Sequence, residues 1–345
     1  MTGSATMRRI EITAPGGPEV LAVMPAPRPR PGPGEVLVRV AAAAVNRPDI
    51  QQRRGLYPPP PDASPVPGLD IAGLVEAVGP DVRGPAPGDA VCALTNGGGY
   101  AEFCTVPAVQ CMPVPRGFSF VEAAALPEVF FTAWNNIIWL GRLAQGETLL
   151  IQGGTSGVGL AGIQIARALR GARVIATAGT AEKRRVCLQT GADAAFDYRG
   201  DWVSEVRAFT AGAGVDVILD AQAGPYTQPQ LDLLRPDGRL VFIASHQGPT
   251  AEVNIRDIVR RRLTLTGSTL RPRPAGYKGR LAAELVEQVW PLLETGAITT
   301  RIHAVLPFEA VQAAHRMLDA NEQIGKVVLA VDQALAETIP GERPC

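Results

Sequence analysis

The 345-residue chain has no excess of either charge, with 33 Lys plus Arg against 33 Asp plus Glu and no long run of one sign. A surface of that kind offers nothing to a polyanion, which argues against nucleic acid or an anionic membrane as partner. Aromatic residues make up only 5 % of the chain, and the three histidines, His246, His303 and His315, lack the close spacing of metal ligands. The five cysteines, Cys92, Cys104, Cys111, Cys187 and Cys345, form no CxxC pair and no disulfide-like pattern. They read as small core residues of a protein in a reducing compartment. The longest apolar stretch, 123–140, is broken by Pro127, Glu128, Asn135 and Asn136, and falls short of a membrane span. Residues 1–9 lack the apolar core of a signal peptide, so they are expected to fray before the first strand, and the expected location is cytoplasmic.

What the chain does have is length, and 37 Gly with 31 Pro to punctuate it. Its length exceeds one typical core, which predicts two domains. In the first 125 residues, short β-like runs at 35–41, 71–78, 89–93 and 101–106 are separated by turn signals such as Pro31-Gly-Pro-Gly34 and Pro87-Gly-Asp89. This predicts a barrel-like all-β domain. From Glu147 onward, strands alternate with helices, the pattern of a parallel doubly wound sheet. The alternation stops after Gly267; a long helix is expected over 277–294, then elements at 304–307 and 326–330, the tail returning to complete the first domain.

The segment Thr148-Leu-Leu-Ile-Gln-Gly-Gly-Thr-Ser-Gly-Val-Gly159 runs into Leu160-Ala-Gly-Ile-Gln-Ile-Ala-Arg-Ala-Leu169. It reads as buried strand, glycine turn and amphipathic helix, the order that a dinucleotide pyrophosphate requires. Glycines let backbone approach the phosphates, and the helix N-terminus offers unpaired N–H groups. A GxGxxG string at Gly157, Gly159 and Gly162 begins inside the helix, so the working register starts at Gly154, with Ser156 in the middle glycine's place. Gly154, Thr155, Ser156, Gly157 and Val158 are therefore the expected phosphate-binding residues.

The second strand ends Ala176-Thr-Ala-Gly179, without the acid that an NAD site places about 20 residues after the turn for the ribose 2′-OH. Lys183, Arg184 and Arg185 follow instead, which favours NADPH. Lys183 is the first candidate for a 2′-phosphate, with Gly179, Thr180 and Tyr198 beside it, although the same three basic residues would also suit a solvated helix face. Ala244 and Ser245 after the fifth strand, and Thr269, Leu270 and Arg271 after the sixth, lie where carboxyl ends of strands should face the cofactor.

Pro33-Gly-Glu-Val-Leu-Val-Arg-Val, Ala44-Val-Asn-Arg-Pro-Asp49, Pro67-Gly-Leu-Asp-Ile-Ala-Gly73, Pro87-Gly-Asp-Ala-Val91 and the glycine loop together resemble the medium-chain dehydrogenase/reductase superfamily. Asn46-Arg-Pro-Asp49, Arg54-Gly-Leu-Tyr57-Pro-Pro-Pro, Ala125-Leu-Pro-Glu128, Thr132-Ala-Trp134 and Asn321-Glu-Gln-Ile-Gly-Lys-Val-Val328 are most similar to its quinone oxidoreductase branch, and within that to the p53-inducible group. The resemblance implies an α/β protein with a GroES-like β-barrel catalytic domain, 1–129 with 272–345, around a Rossmann doubly wound domain, 130–271. It also implies an active site in the cleft between the two and a homodimer formed through Rossmann edge strands, for which 260–268 is a candidate. Zinc enzymes of the superfamily have a ligand Cys where this chain has Asn46, and Gly-His-Glu where it has Gly68-Leu-Asp70. The lobe of structural-zinc cysteines is also missing, so no metal is expected.

By the same resemblance, Asn46 sits near the nicotinamide ribose or the substrate, Tyr57 closes the cleft, and Asp49 anchors the loop carrying both. A quinone is already a good hydride acceptor, so hydrogen bonds to the oxygen that gains charge are the help it needs, and Asn46 and Tyr57 are the expected donors. Alternative readings make Asn46 a turn residue before Pro48 and Tyr57 a ring packed on Pro58 to Pro61. Thr132, placed near a helix start, would bond the cofactor or satisfy the helix. Ile324, Gly325 and Lys326 are expected to reach the site from the returning tail. The activity implied is NADPH-dependent quinone reduction. Its alternatives are reduction of an activated 2-alkenal or enoyl double bond, and a nucleotide sensor or lens-type structural protein.

Overall fold

The computed structural model describes residues 6–341, so residues 1–5 and 342–345, Cys345 among them, lie outside it. The chain divides into two compact units, Thr132–Leu270 and the described residues on either side of that segment. The boundaries fall two residues later and one residue earlier than the sequence reading places them.

The outer unit is built on Glu35–Val45, whose run Ala41–Ala44 is fully buried at the centre of a seven-stranded sheet. The strand order is Ile302–Pro307, Lys326–Ala330, Glu35–Val45, Asp70–Val78, Ala90–Leu94 and Cys111–Pro113, with Phe103–Pro107 also pairing with Glu35–Val45. The tail therefore does return: Lys326–Ala330 lies antiparallel to Glu35–Val45, with Val327 opposite Val45. On the other side of that strand, Ala44 is opposite Asp70. Thr6–Ile12 pairs with Leu21–Pro27, so the fraying expected of residues 1–9 does not extend to Thr6–Arg9.

The helix expected over 277–294 is two helices, Ala275–Gln288 and Trp290–Glu294. Pro291 has no N–H to continue the first helix and suits the opening turn of the second. A further helix, Val311–Asp319, buries Val311, Ala314, His315 and Leu318.

The inner unit is a six-stranded parallel sheet in the order Ala194–Phe196, Arg173–Thr177, Thr148–Gln152, Val215–Asp220, Leu234–Phe242 and Thr264–Gly267. Every residue of Thr148–Gln152 is buried, as a strand covered on both faces requires. The order reverses beside this strand, at the switch point where such sheets bind ligands. Helix Gly157–Arg170 follows; it starts at a Ser156 cap and stops at Gly171, whose φ of 49° is the left-handed conformation that ends helices. Among the described residues no helix is long and apolar enough to cross a membrane.

Candidate active site

In the inner unit, the loop after Thr148–Gln152 is fastened to the neighbouring strand. Gly153 donates its N–H to Thr177 Oγ1 at 3.2 Å, and Gly154 donates its own to the Thr177 carbonyl at 2.9 Å. The Ser156 hydroxyl donates to the Gly153 carbonyl at 2.9 Å and accepts the Gly159 N–H at 3.0 Å. It thus caps the helix while folding the loop back on itself, which explains why a serine serves in the middle glycine's place. The N–H groups of Gly157 and Val158, in the first turn, have no acceptor within the helix and keep its partial positive charge available. A Cβ on Gly159 would lie 2.5 Å from the Gly153 oxygen, so loop and helix approach as only glycine allows. This cradle fits a dinucleotide phosphate.

At the end of the second strand, Thr180 caps helix Ala181–Gln189 by accepting the Lys183 N–H at 3.1 Å. The Lys183 side chain is half-buried, and that burial lowers its pKa. Arg184 is paired with Asp197 at 2.9 Å, and Arg199, which the sequence reading passed over, binds the same carboxylate and the Gly179 carbonyl. Hydrogen bonds from Arg199 hold Asp197 well below the usual carboxylate range. The Asp197 carboxylate is thus neutralised. The Tyr198 hydroxyl packs directly on Gly179.

Ala244 and Ser245 follow the fifth strand in a segment stitched to the preceding strand's loop, where Ile243 donates to the Asp220 carbonyl and His246 to that of Ala221. After the sixth strand Thr269 is exposed and Leu270 is buried. Thr132 is the sixth residue of helix Pro127–Ala133, so its hydroxyl does not satisfy a helix start; its carbonyl accepts from Asn136.

In the outer unit, the sheet register brings three predicted or noted residues together. Asn46 follows Val45, Lys326 precedes Val327, and Asp70 stands opposite Ala44. The Lys326 ammonium donates to Asn46 Oδ1 and, at 2.9 Å, to Asp70 Oδ2. Asn46 Nδ2 donates to the same Asp70 oxygen at 2.9 Å and to the Ala44 carbonyl at 3.3 Å. All three side chains are buried, and the amide of Asn46 is turned the only way that suits both an ammonium and a carboxylate. The other Asp70 oxygen accepts the Glu128 N–H at 2.6 Å.

Asp49 ties this cluster to its surroundings. One of its oxygens accepts the Asn46 N–H at 2.8 Å and the Tyr100 hydroxyl at 3.3 Å, and the other accepts the Gly68 N–H at 3.0 Å. The Tyr100 hydroxyl also meets His315 Nε2 at 3.2 Å, and Arg53 meets His315 Nδ1 at 3.2 Å. Arginine only donates, so His315 accepts at Nδ1 and carries its proton on Nε2. Burial lowers the His315 pKa to about 3 and keeps the ring neutral. Burial also raises Asp49 to about 6, against two backbone hydrogen bonds. Glu128 is raised to about 7 by burial and then by Asp70, with Lys326 and Lys278 opposing.

Tyr57 is half-buried with the guanidinium carbon of Arg271 5.6 Å from its ring centre, and burial raises its pKa, so it keeps its proton. Lys278, fully buried, donates to Asn96 Oδ1 and to the Arg271 carbonyl at 3.2 Å; burial lowers its pKa to about 8. Ile324 is buried ahead of Lys326. Sequence reasoning missed Lys278, because a lysine in a helix reads as solvated and nothing local shows its burial. Among the described residues, no group of three or more His, Cys, Asp or Glu side chains is arranged to hold a metal ion.

Two family models match the chain: the alcohol dehydrogenase GroES-like domain over residues 32–116 and the zinc-binding dehydrogenase domain over residues 157–287. The quinone oxidoreductase of Lama guanicoe is 36 % identical over 332 residues, covering 95 % of this chain and 98 % of the relative. A mycobacterial protein solved in complex with NADPH is 32 % identical with a TM-score of 0.83, covering 94 % of this chain and 100 % of its own. The enoyl reductase CurK is 29 % identical with a TM-score of 0.82, covering 94 % and 99 %.

Proposed function

The chain belongs to the quinone oxidoreductase branch of the medium-chain dehydrogenase/reductase superfamily, and we propose that it is a zinc-independent, NADPH-dependent reductase of quinones. The observation that carries this reading is the Lys326 ammonium bonded to both Asn46 and Asp70, at the positions where zinc enzymes of the superfamily have ligands. A fixed cation already satisfies this cluster, and a divalent ion would have to displace it. Asn46 acts by holding that ammonium, since both of its side-chain polar atoms are engaged within the cluster.

Bound NADPH supplies the hydride. Gly154, Thr155, Ser156, Gly157 and Val158 hold its phosphates, and Ala244, Ser245, Thr269, Leu270 and Thr132 line the rest of its path. Lys183 receives the 2′-phosphate from the first turn of helix Ala181–Gln189, directly after the second strand, with Gly179, Thr180 and Tyr198 against the ribose. Tyr57, protonated at neutral pH, donates a hydrogen bond to the acceptor, and Ile324 and Lys326 shape the acceptor's surroundings. The protein works in the cytoplasm as a homodimer joined along the edge strand Thr264–Gly267.

Similarity to an enoyl reductase, together with the protonated Tyr57, favours reduction of an activated double bond as a second reading. Stopped-flow measurement of NADPH oxidation with naphthoquinones and with 2-alkenals tests both. Turnover of quinones well above enals supports the first reading, and the reverse supports the second. NADPH bound tightly but oxidised by neither class would overturn both in favour of a nucleotide sensor. Tyr57→Phe should lower enal turnover far more than turnover of a reactive quinone, because only the enal needs a proton at carbon.

A further inference from the structure

Arg271 is 4 % exposed, yet of its guanidinium nitrogens only Nε has a partner, the Asn96 carbonyl at 2.9 Å. Nη1 and Nη2 have no hydrogen-bond partner among the described residues. A guanidinium carries five N–H donors in a rigid plane, so four remain unmet inside the protein. Buried charged donors are costly to leave so, and a fold that keeps them needs an acceptor from elsewhere.

The fork is held in place. Lys278 binds the Arg271 carbonyl and the Asn96 side chain, bridging the two residues that the Nε bond joins. At Gly97, where φ is +128°, a Cβ would lie 3.0 Å from Nη2 and 2.6 Å from the Ser64 carbonyl oxygen, so only glycine lets this loop pack so closely on the fork. The centre of the Tyr57 ring lies 5.6 Å from the guanidinium carbon. Asp49 and Glu128 attract the charge from a distance but accept none of its hydrogens.

We propose that the Arg271 fork is the oxyanion-binding group of this protein, its Nη hydrogens bonding the acceptor oxygen that gains negative charge. The assignment rests on the reductase reading above. A quinone that takes hydride from NADPH at a ring carbon becomes an enolate whose charge rests on a carbonyl oxygen; one proton from solvent neutralises that oxygen, the ring carbon that took the hydride then loses a proton as the second carbonyl oxygen gains one, and the hydroquinone forms as NADP⁺ is released. Arg271 donates hydrogen bonds in this step and no proton, and its fixed donors require no reorganisation as charge develops. A quinone with an already ionised oxygen, the anion of 2-hydroxy-1,4-naphthoquinone, should therefore bind to the same fork as an inhibitor.

The test is calorimetric titration of that anion into wild type, Arg271→Lys and Arg271→Gln, with NADPH affinity measured by fluorescence and turnover measured on 1,4-naphthoquinone. Arg271→Gln should weaken the anion by about tenfold or more and lower kcat on naphthoquinone by a similar factor, with NADPH affinity within about twofold. Arg271→Lys, which keeps the charge but not the fork, should recover only part of both. Unchanged anion affinity and kcat in Arg271→Gln would overturn the proposal. So would equal losses of anion, NADPH and melting temperature, which would mark a merely structural residue. If Arg271→Gln does not fold, Arg271→Lys decides: anion affinity and kcat equal to wild type would overturn the fork. A wild type that binds the anion through Arg271 but reduces no quinone would sink the reductase reading and leave the oxyanion site standing.

Discussion

Removing the Lys326 charge should expose how the cluster at Asn46 is held together. The Lys326 Nζ to Asp70 Oδ2 distance is 2.9 Å, and the two side chains are 5 % and 0 % exposed. At that separation the direct attraction is about 6 kcal/mol for an effective dielectric of about 20. Much of it offsets the desolvation of the two ions, so the pair's net worth is far smaller than the cost of breaking it. Lys326→Met leaves a buried carboxylate with only the Asn46 amide and the Glu128 N–H, and should cost about 3 to 5 kcal/mol. Asp70→Asn leaves a buried ammonium with neutral amide oxygens and no anion, and should cost a similar amount. The double variant removes both charges together, and should be less destabilised than the singles combined by about 2 kcal/mol. Urea unfolding of the four proteins, following the transition that the single variants shift, gives the coupling directly. A coupling below about 0.5 kcal/mol would refute the reasoning, because two sites that add are not a pair.

Gly159→Ala should push the helix start off the loop, given the 2.5 Å approach to the Gly153 oxygen, and weaken NADPH binding by tenfold or more while lowering the melting temperature; fluorescence titration and calorimetry check both. Lys183→Ala should weaken NADPH relative to NADH by about tenfold, as for loss of a charge-assisted hydrogen bond, and an unchanged preference would exclude Lys183 from the 2′-phosphate site. His315→Gln bears on acid stability. A histidine with its pKa near 3 in the fold and near 6.5 unfolded lets the unfolded chain bind the proton first, so its contribution destabilises progressively as pH falls from about 6.5 to 3. Asp49 and Glu128, raised to about 6 and about 7, act the other way, stabilising the fold as pH falls through those values. Relative to wild type, His315→Gln should gain about 2.3 kcal/mol between pH 6.5 and 4.5; a difference that does not change with pH would refute the neutral, buried ring.

The parallel sheet was legible because its strands are covered on both faces and read as short apolar runs between glycines, as in Thr148–Gln152. Helix Val311–Asp319 escapes such reading, since an alanine and a histidine stand at two of the four buried positions where large apolar residues would mark the period. The break at Val289 was legible in principle from Pro291, but the apolar period runs straight across it. In the candidate site, Asn46, Asp70 and Lys326 each stand out in sequence, yet their meeting depends on the register of two strand pairings. The empty fork of Arg271 is invisible in sequence, because a missing acceptor is a property of the space around a side chain.

The strand that carries Lys326 also sets an order of events on the ribosome. Asp70 is made 256 residues before the ammonium that balances it, and Asn46 earlier still. Until the tail emerges, the central sheet lacks its Lys326–Ala330 neighbour, and closing it would trap a carboxylate without a cation. The inserted α/β unit, complete by Leu270, is free to fold while the outer unit waits. Chains cut short before Lys326 should therefore yield a folded nucleotide-binding half joined to an open, protease-sensitive sheet, so that a truncation at the last tenth of the protein undoes the structure begun in its first.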